Sequence, residues 1–166
     1  MSKMGIFYGS TNGNTSDIAE KIAAKLGVDK SDIYDVASAK ADNLASYDVL
    51  LLGSSTWGLG DLQDDWEDFI SVLPTVDLSA KKVALFGCGD SASYSDTFCD
   101  AIGKIYEAIK GKTKVIGFTS TDGYSYDSSE AVVDGMFVGL AIDEDNESNL
   151  TDKRIDSWIG KLKSEI

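Results

Sequence analysis

KMGIFYGSTNGNTSDIAEKIAAKL, residues 3–26, passes from a short apolar run through a polar turn into a segment of helical period. Ile6, Phe7 and Tyr8 suit a strand buried on both faces, and Ile18, Ala19, Ile22, Ala23 and Leu26 recur at the spacing of one helix face. A strand, a tight loop and a helix in that order open a parallel α/β sheet. Outward from this unit the alternation continues. Strands are predicted over 3–8, 32–36, 48–53, 82–87 and 114–119. One further helix face is made by Leu62, Trp66, Phe69, Ile70 and Leu73, with Pro74 closing that helix. Others are made by Phe98, Ile102, Ile105, Tyr106 and Ile109, and by Ile155, Trp158, Ile159 and Leu162. The polar stretch from Ser120 to Gly135 breaks the pattern and is predicted to be an insertion. After it, the apolar run Met136 to Ile142 is expected to rejoin the same sheet edge.

With 166 residues, 43% of them hydrophobic, the chain suits a single domain over 1–166, and neither a linker nor a repeat divides it. Fifteen basic against 28 acidic residues leave a formal charge of −13. No apolar run is long enough for a bilayer, and the apolar segment at Met4 begins too early for a signal peptide, so a cytoplasmic monomer is expected, with neither membrane nor nucleic acid as partner. Zero histidines exclude imidazole bases and ligands, and with them the serine and cysteine triads. The single arginine, Arg154, is far in sequence from Cys88 and Cys99, which rules out a cysteine phosphatase loop. Two cysteines are also too few for a four-cysteine metal or iron–sulfur site. Redox chemistry in such a chain needs an organic cofactor.

In open parallel sheets ligands sit beyond the carboxyl ends of the strands, which directs attention to three loops. The first, Gly9 to Ser16, places hydroxyls, amides and free N–H groups at a helix start, where phosphate is held well without a cation. It lacks the lysine of a Walker motif and the spacing of a dinucleotide fingerprint. The second, Ser54-Ser55-Thr56-Trp57-Gly58-Leu59-Gly60-Asp61, sets an indole among glycines, an arrangement that covers a flat ligand. The third, Gly87-Cys88-Gly89-Asp90 through Tyr94 to Asp96, again carries one large aromatic among small residues. Cys88 has no cation nearby in sequence to activate it and reads as a packing residue.

Together the loops closely resemble those of the flavodoxins, small carriers that bind flavin mononucleotide (FMN) non-covalently. The resemblance covers essentially the whole chain. It rests on Ser10-Thr11-Asn12-Gly13-Asn14-Thr15, on Thr56 to Gln63, on Gly87-Cys88-Gly89-Asp90 with Tyr94, and on the tail from Phe137 to Asn146. The insertion resembles the extra loop of the long-chain members. Flavodoxin is itself the type example of the 2-1-3-4-5 strand order, so the resemblance implies a three-layer α/β sandwich of that order, with helices on both sheet faces. It implies that Ser10, Thr11, Asn12, Gly13, Asn14 and Thr15 bind phosphate and that Trp57 and Tyr94 sandwich the isoalloxazine. Groups around Ser55, Thr56, Gly58, Leu59, Gly60, Cys88, Gly89, Asp90 and Asp96 are expected near the ring, with Asp145 at the ribose. Asn12 stands where a hydroxyl residue is more usual, and Ser55 where many members have proline.

The function expected is low-potential one-electron transfer between redox enzymes rather than catalysis. By the same resemblance, the Gly58 carbonyl turns to meet a ring nitrogen on reduction. Residues 41–80, 83–103 and 115–152 hold 20 of the 28 acids and not one Lys or Arg. One carboxylate ~10 Å from the ring would oppose the second electron by ~1.7 kcal/mol at an effective dielectric of ~20. The same acids suit basic-surfaced partners, such as a flavodoxin/ferredoxin-NADP reductase or a 2-oxoacid oxidoreductase. A small flavin-dependent reductase is the alternative. A flavin-free receiver module is disfavoured, because Ser10-Thr11 and Gly53-Ser54 stand where it needs acids.

Overall fold

The computed structural model describes residues 3–10, 13–57 and 60–166. In chain order the elements are β1 (Met4–Gly9), α1 (Asn14–Leu26), β2 (Ile33–Asp35), α2 (Ala41–Ala45), β3 (Val49–Trp57), β4 (Asp61–Leu62), α3 (Asp64–Phe69) and β5 (Lys82–Cys88). There follow α4 (Asp100–Ile109), β6 (Lys114–Ile116), β7 (Thr119–Ser120), β8 (Val132–Val133), β9 (Met136–Phe137), β10 (Leu140–Ile142), α5 (Glu144–Glu147) and α6 (Thr151–Glu165).

The main sheet runs β2-β1-β3-β5 in parallel, with β6 and β10 both on the outer edge of β5. β6 pairs with Lys82–Ala84 and β10 with Phe86–Cys88. They are two halves of one edge strand, so the order is 2-1-3-4-5 with the fifth strand split by the insertion. Gly117, at φ +80°, turns the chain out of the sheet, and its carbonyl accepts from Trp158 Nε1 at 2.8 Å. Gly139 brings it back against β5, where a Cβ would lie 2.1 Å from the Leu85 carbonyl oxygen. Only glycine fits such an approach.

Between these glycines β7, β9 and β8 form a small antiparallel sheet. The run from Met136 to Ile142 is therefore not one edge segment, since Met136–Phe137 belongs to the insertion and only Leu140–Ile142 rejoins β5. Phe98 anchors the insertion by contacts with Tyr124, Tyr126 and Phe137 at centroid distances of 5.5–6.0 Å.

One core packs Phe7, Leu50, Leu52 and Leu85 against Trp66, Phe69, Ile102 and Ile105 of α3 and α4. The other packs Ile6, Leu51 and Phe86 against Ile18 and Ile22 of α1 and Ile155 and Trp158 of α6. Alternate residues of each strand serve opposite faces, which makes the apolar runs continuous. Pro74 does not close α3. The helix ends at Phe69 and a 3-10 turn over Ile70–Thr75 contains the proline, burying Leu73. The third strand also runs past its predicted end at Gly53, to Trp57, because Ser54 and Ser55 pair with Gly87 and Cys88 of β5 and β4 folds back to pair Thr56 with Leu62 and Trp57 with Asp61.

Candidate functional site

β1 ends at Gly9, where a Cβ would fall 2.3 Å from Gln63 Oε1, and the chain then turns at Ser10, whose Oγ accepts from Gly13 N–H at 3.1 Å. Gly13 takes φ +95° to enter α1, and Ser16 Oγ donates to its carbonyl at 2.9 Å. Gly13, as the N-cap, has no side chain to cap this helix start, and the start of a helix is where N–H groups suit an anion. Thr15 faces inward. Its hydroxyl is fully buried, 2.6 Å from Ser55 Oγ and 3.7 Å from Cys88 Sγ, toward which it donates. With that proton directed at sulfur, Ser55 supplies the donor between the two hydroxyls. Thr15 thus ties the loop to β3 and β5, and what it has left for an anion is backbone N–H. Thr11 and Asn12 of this loop, and Gly58 and Leu59 of the next, lie outside the described residues.

Asn14, Ser55, Thr56, Trp57, Cys88, Gly89, Asp90, Tyr94 and Asp145 line one cleft of about 200 Å³ at the carboxyl end of the sheet. Trp57 is 38% exposed and Tyr94 43%, the two large hydrophobic side chains left open among the described residues. Every other Trp is buried, so the exposure of these two aromatics on one cleft is a structural choice that folding alone does not require. Trp57 is carried on the β3–β4 ribbon, and Thr56 Oγ1 accepts from Ala101 N–H at 3.1 Å, pinning that ribbon to α4. The loop bearing Tyr94 is braced by the insertion: Asp127 N–H donates to Ser95 Oγ at 2.8 Å and Ser128 Oγ to the Asp96 carbonyl at 2.6 Å.

Five of the expected residues that are described do not line the cleft: Ser10, Gly13 and Thr15, which make the turn into α1, and Asp96 and Gly60. Asp96 is exposed and contributes its carbonyl to the brace, and Gly60, at φ +94°, packs over the Asp100 carboxylate. Conversely, the sequence offered Asp143 only as one of the tail's surface acids and gave no role to Ser91. Asp143 is fully buried, accepts from Ser91 Oγ, and takes Asn146 N–H at 3.2 Å and Nδ2 at 3.0 Å. Asn146 Nδ2 also donates to Asp90 Oδ1 at 2.9 Å. This network joins two loops more than fifty residues apart, a separation at which no local pattern exists to read.

Charge follows the same geometry. Burial works against ionisation of Asp90, but hydrogen bonds from Ser93, Asn146 and Ala92 outweigh it and hold the carboxyl below its ordinary value. Desolvation, then the fields of Asp90, Asp143 and Glu144, raise the Asp145 carboxyl. Burial pushes the Cys88 thiol up to about 12 despite the hydroxyl of Thr15, and the same cause raises Cys99 well above the ordinary thiol value, so neither is a nucleophile. Among the described residues no group of acids and thiols is arranged to hold a metal ion.

The sequence and fold of this chain have counterparts among known proteins. The family model described as flavodoxin matches residues 6–158. A flavodoxin from a Nostoc species is 48% identical over 99% of this chain and 97% of its own, and flavodoxin 1 of Escherichia coli K12 is 43% identical over 100% and 96%. The crystal structure of Fusobacterium nucleatum flavodoxin bound to flavin mononucleotide superposes with a TM-score of 0.90 at 34% identity, covering 100% of this chain and 99% of that one. Sequence agrees over 99% of the chain and fold over all of it, and the chain belongs to the flavodoxin family.

Proposed function

We propose that this protein is a one-electron carrier that binds FMN non-covalently in the cleft between Trp57 and Tyr94. The observation that carries this is the pair of half-exposed aromatics on one cleft beside the start of α1. The residues present fit the cofactor. The N–H groups at the glycine-entered start of α1 suit a phosphate, and Gly89, where a Cβ would meet Cys99 N at 2.7 Å, lets the loop lining the cleft pack directly on the start of α4. Ser10, Gly13 and Asn14 would hold the phosphate with the backbone of Thr15. Ser55, Thr56, Cys88, Gly89 and Asp90 would border the ring, and Asp145 the ribose. When bound, the flavin supplies a centre that takes up and releases single electrons.

The chain's own task is to hold the ring, exclude water from its faces and set the surrounding charge. Asp90 and Asp145 line the cleft, and α3 carries Asp64, Glu67 and Asp68 exposed, without ion-pair partners among the described residues. Lys21 and Lys25, by contrast, are paired with Asp152 and Asp156 between α1 and α6. The unbalanced negative field at the cleft rim disfavours a more negative ring and lowers the potential. It also suits basic-surfaced redox partners, a flavodoxin/ferredoxin-NADP reductase or a 2-oxoacid oxidoreductase, met in brief encounters by a monomer in the cytoplasm. No helix among the described residues is long and apolar enough to cross a membrane.

The test is reconstitution. Purified protein is stripped of cofactor and titrated with FMN, and the complex is then reduced stepwise with potentiometric control. Stoichiometric binding with quenching of flavin emission and two resolved one-electron steps is expected. Failure to retain FMN, or a single two-electron step, would overturn the assignment.

A further inference from the structure

A second cavity, about 440 Å³, lies between the insertion and α6 and shares no lining residue with the flavin cleft. Leu140, Leu150, Tyr124 and Trp158 give it apolar and aromatic walls. Its charged lining is Lys153, Arg154 and Lys161 against one acid, Asp122. In a chain with 28 acids to 15 bases, this corner inverts the charge of the molecule.

The donors here exceed the acceptors. Arg154, the chain's single arginine, stacks its guanidinium 3.9 Å above the Tyr124 ring centroid. Its Nη2 donates to the Gly123 carbonyl and to Glu147 Oε1, both at 3.1 Å, whereas its Nη1 is buried with no acceptor among the described residues. Lys161 Nζ donates to the Phe118 carbonyl, with further N–H bonds to give. Lys153 is exposed and forms no ion pair among the described residues. Arg154 Nη1 is closed off from solvent and adds its charge alone, whereas exposed Lys153 and the remaining N–H bonds of half-buried Lys161 are the donors that an oxygen from outside the protein would meet. Three cations less Asp122 and the paired Glu147 leave a net charge of +1, which balances a monoanion and not a phosphate dianion. The volume falls in the range of small-molecule sites, and the aromatic walls suit a flat apolar body.

We propose that this cavity binds a small aromatic carboxylate, its carboxylate among Lys153, Arg154 and Lys161 and its ring against Tyr124, Leu140 and Leu150. The site is independent of FMN binding. Its test is the FMN-loaded, ¹⁵N-labelled protein titrated with sodium 2-naphthoate and, in parallel, with uncharged 2-naphthamide. Saturable amide shifts confined to 119–124 and 150–161 are expected, with the amide about tenfold or more weaker. Lys153→Gln, at an exposed position, should weaken naphthoate several-fold, and Lys153→Gln with Lys161→Gln about tenfold, with the flavin absorption spectrum unchanged. Shifts that fail to saturate, that centre on Trp57 and Tyr94, or that are equal for acid and amide would overturn the proposal. So would unaltered naphthoate affinity in both variants.

Discussion

Replacing Thr15 by Val keeps the shape of the side chain and removes the hydroxyl that joins the phosphate loop to β3. In the intact protein Thr15 Oγ1 and Ser55 Oγ are 2.6 Å apart, with Thr15 fully buried and Ser55 nearly so. The bond itself contributes about 0.5–1.5 kcal/mol net, and the partner left behind is a buried hydroxyl with a desolvation cost of about 1–3 kcal/mol. Thr15→Val and Ser55→Ala should therefore each cost ~1–3 kcal/mol. The double variant removes the orphan along with the bond, so the second change should be almost free, and a coupling energy of ~1 kcal/mol or more is expected. Urea unfolding of the four flavin-free proteins, followed by circular dichroism and tryptophan emission, measures this, with the slope checked for constancy. FMN affinity should fall in both single variants, because the loop that meets the phosphate is no longer tied to the strand bordering the ring. Additive stability losses within ~0.5 kcal/mol would refute the buried hydroxyl link.

Trp57→Ala and Tyr94→Ala should each weaken FMN by ~1–3 kcal/mol, as for aromatic stacking on a base, read by recovery of flavin fluorescence on titration. Asp64, Glu67 and Asp68 converted to amides should slow association with a ferredoxin-NADP reductase and flatten its salt dependence in stopped flow, with the electron step itself unchanged. Asp65 is left intact because its carboxylate accepts from Gln63 Nε2 at 2.9 Å and its N–H donates to Gln63 Oε1. The Cys88 thiol, raised from 9.0 to about 12 by burial, favours the protonated fold, so its contribution is complete below pH ~9 and is lost as pH rises toward 12. Alkaline titration of stability should thus fall more steeply in the native protein than in Cys88→Ala, by up to ~1.4 kcal/mol per pH unit. Iodoacetamide should label Cys88 at pH 9 only after urea unfolding.

Much of this molecule was readable from local order. The continuous apolar run and the helical run at residues 3–26, repeated along the chain, dictate a parallel sheet, because strands buried on both faces alternate there with helices buried on one. The aromatics Trp57 and Tyr94 stood out as single large residues among glycines and hydroxyls, and both open onto the cleft. Tertiary structure decided the rest. It split the fifth strand between β6 and β10, since pairing with two separate stretches of β5 depends on how closely Gly139 can approach Leu85. It carried β3 beyond Gly53 by pairing Ser54 and Ser55 with β5 and supplying β4 as a partner for Thr56 and Trp57, which turned 54–57 from loop into strand. It turned Thr15 inward to Ser55, and it used the insertion to brace Ser95 and Asp96. It also gathered Lys153, Arg154 and Lys161 opposite Tyr124 from helix and insertion positions that look unremarked in line. Each of these rests on contacts between residues far apart in sequence. Periodicity records which face of an element is buried, whereas the identity of the group on the other side is set only when the sheet brings the two together.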